Sequence, residues 1–243
     1  RVLPRSFASS FRWDAHRKAD ACIALTSWEA HLMQYLFGAS GARVHVVPNG
    51  VESEFLDAPP AERGQWLVCT ATVTPRKRVL ELARAAAIAQ TPLWIIGKPY
   101  SEADPYFREF RAVAEANQHY VRFDGPLNDR RELAKVYREA RGFVLWSASE
   151  SLSLSALEAA ACKCPLLLSE LPWAKSVFGA NARYCPISNS PERAAAVLRE
   201  FYASAPQLSP PPSPCTWEDV ARQLAAVYAA VTGQPARSEQ ALA

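Results

Sequence analysis

Eight short apolar runs alternate with amphipathic stretches along most of this chain, and that alternation constrains its fold more than any other feature. The β-like runs are residues 22–25, 44–47, 66–69, 93–96, 120–123, 142–146, 165–168 and 183–185. Between them lie helical patterns over 27–37, 75–89, 105–116, 130–140, 155–162, 173–178 and 191–202. Alternating strand and helix predict an α/β fold with a parallel sheet and helices on both faces. Several runs are solidly apolar rather than alternating, as strands covered on both sides are.

Helix starts are punctuated by capping residues. Thr74-Pro75, Asp104-Pro105 and Ser190-Pro191 each set a capping side chain before a proline at the first helical position, where the missing N–H costs nothing. Thr216 opens a further amphipathic helix, from Trp217 to about Val231. The turn-rich segment Pro48-Asn49-Gly50-Val51, with the proline-bearing stretch 57–64 after it, reads as a domain boundary. The expected organisation is therefore residues 1–49 as the end of one α/β domain, 50–205 as a second, 206–215 as a proline-rich extended connector, 216–232 as a closing helix and 233–243 as a tail.

Composition removes several function classes. With 27 Lys and Arg against 24 Asp and Glu, the net charge of +3 does not by itself point to nucleic acid or a membrane, and none is expected to be bound through this term. No stretch approaches the roughly 18 apolar residues of a transmembrane helix. The six cysteines lack paired zinc spacing, so they read as buried free thiols in a reducing compartment, with no metal site. The chain begins at Arg1 and its only methionine is Met33, so the natural amino terminus is expected to be absent.

Two clusters carry chemistry. Arg76-Lys77-Arg78 follows the Thr74-Pro75 helix start. Each cation in a first helical turn is disfavoured by about 0.3–1 kcal/mol, so three together call for either a bound anion or dispersal into water. The second cluster runs from Glu150 to Glu158 after the apolar run ending at Trp146, a strand, small-residue loop and helix start that place both carboxylates at the carboxyl edge of the sheet. Ser155 and Glu158 have capping-box spacing, which gives Glu158 a local role, whereas Glu150 has none. Carboxylates accept well from sugar hydroxyls and bind phosphate badly, so the pair points to a polyol next to the anion site. The four histidines and the tryptophans 66, 94 and 146 read as surface or core residues.

Taken in order, residues 19–27, 46–52, 74–78, 123–127, 150–158 and 159–165 resemble the retaining, nucleotide-sugar-dependent glycosyltransferases of family 4, whose GT-B fold has two facing Rossmann-like domains. The resemblance implies that Lys77 contacts the donor diphosphate and that Glu150 and Glu158 are the two acids of the family's E-x7-E motif, the first near the transferred sugar and the second on the ribose. It places Thr72 and Arg76 with Lys77, assigns the loop Ser151, Leu152, Ser153 and Leu154 to the sugar and phosphates, and sets Gly125, Pro126 and Leu127 beside the nucleobase. Glu150 and Lys77 would be the catalytic pair, with no metal and no cofactor beyond the donor itself. The pattern departs at Ala71-Thr72, where the family carries Gly-Arg, at Ser151 and Ser153, where glycines are common, and at Lys163, where a left-handed glycine is usual.

The implied function is transfer of a hexose-type sugar from a nucleotide-diphosphate donor to an acceptor hydroxyl in glycan, glycolipid or polysaccharide biosynthesis. Alternatives are a non-catalytic nucleotide-sugar-binding module, or an epimerase or phosphorylase of the same architecture. The acceptor would be a glycan, a lipid-linked or a small molecule, and the location cytoplasmic, at the inner membrane face where the missing amino-terminal half makes peripheral contact. That missing half leaves catalysis by the isolated chain open.

Overall fold

A computed structural model describes residues 14–57, 59, 61–188 and 190–233. The part of the expected remnant before residue 14, and the tail after residue 233, lie outside them. The chain divides into two compact units, one from Val51 to Pro214 and one joining the residues up to Gly50 with those from Cys215 on.

In the larger unit a short helix α3 (Ser53–Leu56) leads into six strands: β3 (Leu67–Thr70), β4 (Leu93–Ile96), β5 (Val121–Asp124), β6 (Gly142–Leu145), β7 (Leu166–Ser169) and β8 (Arg183–Cys185). Every neighbouring pair is parallel, in the order β5-β4-β3-β6-β7-β8. Helices α4 (Val79–Ala89), α5 (Pro105–Ala116), α6 (Arg130–Glu139), α7 (Leu154–Ala161), α8 (Pro172–Phe178) and α9 (Pro191–Ser204) each follow one strand. The Rossmann-like α/β architecture expected from the alternation is present. Alternate strand residues sort onto two faces. Leu67, Cys69, Val144 and Leu167 pack with Leu82, Phe110 and Leu198 from α4, α5 and α9. On the other face, Tyr137 of α6 meets Phe143 of β6 edge-on at 5.7 Å and is hydrogen-bonded to Thr70 of β3 at 2.5 Å. Fully burying each large aliphatic or aromatic side chain here contributes about 1.5–3 kcal/mol.

The strands begin and end within one residue of the sequence expectation, but one helix does not. The predicted helix 75–89 is two elements, a 3-10 turn over Pro75–Lys77 capped by Thr74 and the helix α4 beginning at Val79. Arg78 separates them at φ 52, in the left-handed region, with its guanidinium donating to the Ile187 carbonyl at 2.9 Å. The three cations therefore precede α4 rather than filling its first turn, which removes most of the dipole conflict read from the sequence. Lys163 takes the left-handed place after α7 (φ 57) without being glycine.

Gly97, just after β4, fixes the course of the loop that follows β3. The N–H groups of Ala71 and Val73 donate to the carbonyls of Ile96 and Lys98 at 3.1 and 3.0 Å, so the two chains remain paired past their strands. A Cβ on Gly97 would lie 2.0 Å from the Ala71 carbonyl oxygen. Gly97→Ala is thus expected to push the 71–77 loop aside and to cost about 2–3 kcal/mol, in the range of core overpacking. A urea titration that finds the midpoint unchanged would contradict this.

The smaller unit contains α1 (Asp14–Lys18), the parallel strands β1 (Cys22–Ala24) and β2 (Val44–Val46), the connecting helix α2 (Ser27–Phe37) and α10 (Trp217–Thr232). Thr26 caps α2 by accepting from the Glu29 N–H, while the Glu29 carboxylate accepts from the Leu25 N–H at 2.6 Å. A reciprocal capping box of Thr216 and Asp219 starts α10. Gly50 comes so close to that start that a Cβ would lie 2.6 Å from the Trp217 nitrogen. No described helix is long and apolar enough to cross a membrane.

None of the six cysteines forms a disulfide, and five of them are buried. Burial pushes the Cys69 and Cys164 thiols up to about 12 and Cys162 to about 11, so they remain protonated and unreactive at neutral pH.

Candidate functional site

The strand order reverses direction between β3 and β6: the chain works outward from β3 through β4 to β5, then returns to β6 and continues the other way. At such a switch point the loops leaving the two central strands diverge and open a crevice at the carboxyl edge. The loop after β3 carries Thr72, Arg76 and Lys77, and the loop after β6 carries Glu150 to Ser153. They are joined by four contacts. The Ala148 N–H donates to the Arg76 carbonyl at 2.7 Å, Arg76 Nη1 donates to the Ser149 carbonyl at 3.1 Å, and both Arg76 Nη1 and Lys77 Nζ reach Glu150 Oε1, the former at 3.1 Å. Lys77 and Glu150 are largely withdrawn from water, with side chains 14% and 10% exposed, whereas Arg76 is half exposed. Dispersal of the cations into solvent, one of the two readings of the sequence, is therefore not what occurs. Arg76 and Lys77 are held by a carboxylate, and Arg78 by the Ile187 carbonyl.

Glu158 lies deeper, and its role in capping is corrected. The cap of α7 is Ser153, whose hydroxyl accepts from the Ala156 N–H at 3.4 Å, not Ser155. Glu158 consequently sits in the second turn, with its carboxylate turned to side chains rather than to the helix's own backbone. One oxygen accepts from Arg130 at the start of α6, the other from the Tyr137 hydroxyl at 3.2 Å, and Tyr137 is in turn bonded to Thr70. Arg130 also reaches Glu52 at 2.9 Å and stacks over the Phe55 ring at 4.7 Å. Burial raises the Glu158 pKa above the ordinary carboxylate value, with the Arg130 hydrogen bond opposing it. Burial also acts to lower the Arg130 pKa, but the Glu52 and Glu158 carboxylates more than offset it and the net shift is upward. Burial and the Glu158 charge hold Tyr137 well above the usual phenol range, so it is a hydrogen-bond donor throughout the physiological range.

The remaining candidates are distributed along the same edge. Thr72 is half-buried at the end of β3, Ser151 is exposed, Leu152 and Ser153 are buried, and Leu154 is exposed. Gly125 and Pro126 are exposed and Leu127 half-buried after β5, two strands from β3 and so about 10 Å from it. Arg130, Tyr137 and Thr70 were not singled out in the sequence. Arg130 had a readable signal, since it is a cation in the first turn of a helix that starts directly after the residue 123–127 motif. A cleft of about 390 Å³ lined by Trp66, Arg111, Glu115 and Arg122 lies along α5 and the edge strand, apart from this group. Among the described residues no cluster of three or more His, Cys, Asp and Glu side chains is set to hold a metal ion.

Residues 64–203 match the family described as glycosyl transferases group 1. The chain belongs to that family. This group 1 glycosyl transferase chain is 30% identical over 178 residues to the D-inositol 3-phosphate glycosyltransferase of Jonesia denitrificans, an alignment that spans 62% of the chain and 41% of the relative. It thus covers well under half the length of that relative. Among solved structures, a glycosyltransferase from Rickettsia africae superposes with a TM-score of 0.68 at 11% identity, covering 96% of this chain and 68% of that one. Anabaena HepE, solved in complex with UDP, gives a TM-score of 0.68 at 15% identity over 94% of this chain and 68% of that one. At these identities the likeness establishes the fold of a glycosyltransferase, and the chemistry of the group 1 chain has to be argued from its own residues.

Proposed function

We propose that this chain is the donor-binding part of a retaining glycosyltransferase of family 4 type, which moves a hexose-type sugar from a nucleotide-diphosphate sugar to an acceptor hydroxyl. The observation that carries the reading is the meeting of Lys77 and Arg76 with Glu150 at the switch point of the sheet. Diphosphate needs cations and N–H donors, and a sugar needs acceptors for its hydroxyls. Both are found within one hydrogen-bond length here, in the two loops that leave the central strands. The HepE structure solved with UDP agrees with a nucleotide-sugar donor, and the name of the Jonesia relative agrees with sugar transfer.

In this reading the diphosphate lies over the Arg76–Lys77 turn and the start of α7, with Thr72 beside it. The sugar faces Glu150 and the Ser151–Leu154 segment. The ribose hydroxyls address Glu158, and the base reaches toward Gly125, Pro126 and Leu127 at the end of β5. The roughly 10 Å between the ends of β3 and β5 suits the span from diphosphate to base. As the acceptor oxygen bonds to the anomeric carbon, the bond from that carbon to the diphosphate oxygen breaks, the hydroxyl proton passes to the departing diphosphate, and negative charge gathers on that leaving group. Lys77 and Arg76 are placed to neutralise it, and such fixed electrostatic stabilisation is commonly the largest contribution in group transfer. Glu158 and its partners hold the second acid in one orientation before any ligand arrives, which lowers the entropy lost on binding. A reducing, cytoplasmic setting fits six cysteines that form no disulfide.

Calorimetric titration with UDP, GDP and ADP tests the proposal. Saturable binding of one of them with a Kd in the micromolar range is expected. A folded chain that binds none of the three, nor their sugar esters, is not the donor-binding part of a transferase.

A further inference from the structure

Lys77 already has a carboxylate partner in this structure. Its ammonium and one nitrogen of Arg76 converge on a single oxygen of Glu150, in a position where only about a tenth of the lysine and glutamate side chains meets water. The loops bearing them are tied together by the Ala148–Arg76 backbone bond and the Arg76–Ser149 contact. The charge that Lys77 offers to an entering anion is consequently already balanced in part, and the anion must face a carboxylate held at the same point. Little solvent is present there to screen it.

We infer that Glu150 is a gate that lets the site distinguish a nucleotide-diphosphate sugar from the bare nucleoside diphosphate; this rests on the donor-binding reading above. A diphosphate alone can take Lys77 from Glu150, but it leaves the carboxylate with only the half-exposed Arg76 beside the phosphate charge. Removing one member of a withdrawn ion pair is costly because the other charge then stands uncompensated. A sugar attached to the same diphosphate changes the outcome, since its hydroxyls donate to Glu150 while the phosphates take Lys77 and Arg76. Both halves of the ion pair find new partners in one event. The substrate therefore binds with its charges matched, whereas the nucleotide product, having lost its sugar, is pushed out by the same carboxylate that welcomed the substrate. Discrimination arises from a repulsive element as much as from an attractive one.

The experiment compares the wild-type chain with Glu150→Gln, which keeps shape and hydrogen-bonding capacity but removes the charge. Inorganic pyrophosphate, UDP, GDP, ADP and the three corresponding glucose esters serve as calorimetric probes, and thermal unfolding of both free chains verifies folding. Glu150→Gln is expected to bind pyrophosphate and the recognised nucleoside diphosphate at least tenfold more tightly than wild type. Its preference for the glucose ester over the bare nucleotide should shrink by a similar factor. The gate is wrong if Glu150→Gln binds the bare nucleotide equally or more weakly, which would mean that Glu150 only positions Lys77. It is also wrong if the ester-to-nucleotide ratio is unchanged. A wild-type chain that binds no probe overturns the donor reading itself, and the gate with it.

Discussion

Lys77→Ala is expected to weaken nucleoside-diphosphate binding by about 10- to 100-fold while leaving the chain folded. A hydrogen bond to a charged group is worth about 1.5–3 kcal/mol, which corresponds to that range at 1.4 kcal/mol per decade. The loss exceeds that of an ordinary surface cation because Glu150 remains behind. Its Oε1 then has only Arg76, itself half exposed, to balance it, so the entering phosphates meet a carboxylate that the lysine had neutralised. Lys77→Arg should recover part of the affinity, since the charge is retained and only the reach differs. Calorimetry on the three chains decides the matter. Equal affinity in Lys77→Ala and wild type would place the anion somewhere other than the turn after β3.

Glu158→Ala should have the largest effect on the fold. It removes the acceptor of Tyr137, which is fully buried, and leaves Arg130 leaning on Glu52 alone. Breaking a withdrawn pair costs about 3–5 kcal/mol, and the partial exposure of Arg130 puts this case at the lower end. About 3 kcal/mol lowers the melting temperature by about 6–12 °C in a chain of this size. Glu158→Gln retains an acceptor for Tyr137 and should lose much less. The pH dependence has a definite sign. Because burial raises the Glu158 pKa, its folded form holds the proton longer than its unfolded form, so its contribution to stability is full below the unfolded value of about 4.3 and is lost as pH rises through the folded value. The stability gap between wild type and Glu158→Gln should accordingly move against wild type as pH climbs from about 4. A constant gap would show that the carboxyl is not shifted upward.

The two glutamates also show how far the sequence can be read. Periodicity and capping residues were sufficient for the strands of the sheet and for α2 and α5, since these depend on each segment's own pattern of apolar side chains. The break inside the predicted helix 75–89 was not legible because Arg78 is held in the left-handed region by a carbonyl from beyond β8, more than a hundred residues later. The cap of α7 was misread for a different reason. The segment Ser151-Leu-Ser-Leu-Ser155 offers several serines, and the choice of Ser153 goes with the burial of Leu152 and Leu157, which sequence spacing does not reveal. The approach of Lys77 to Glu150 was foreseeable as two loops at one sheet edge. The Arg130 and Tyr137 partners of Glu158, and the Thr70 behind Tyr137, were not, because α6 and β3 are brought to Glu158 by tertiary packing alone.

The closeness of Gly50 to the start of α10 bears on how the chain is made. The smaller unit is interrupted: its first part ends at Gly50 and its last helix begins after Cys215, with the whole of the larger unit between them. Domains commonly fold as they leave the ribosome, first segment first. Here the smaller unit receives its last helix only after the whole six-stranded sheet has been made. Closing so long an intervening chain would be entropically slow if it were loose, and a larger unit already compact shortens the search. Variants that slow folding of the central sheet should therefore delay assembly of a unit they do not touch.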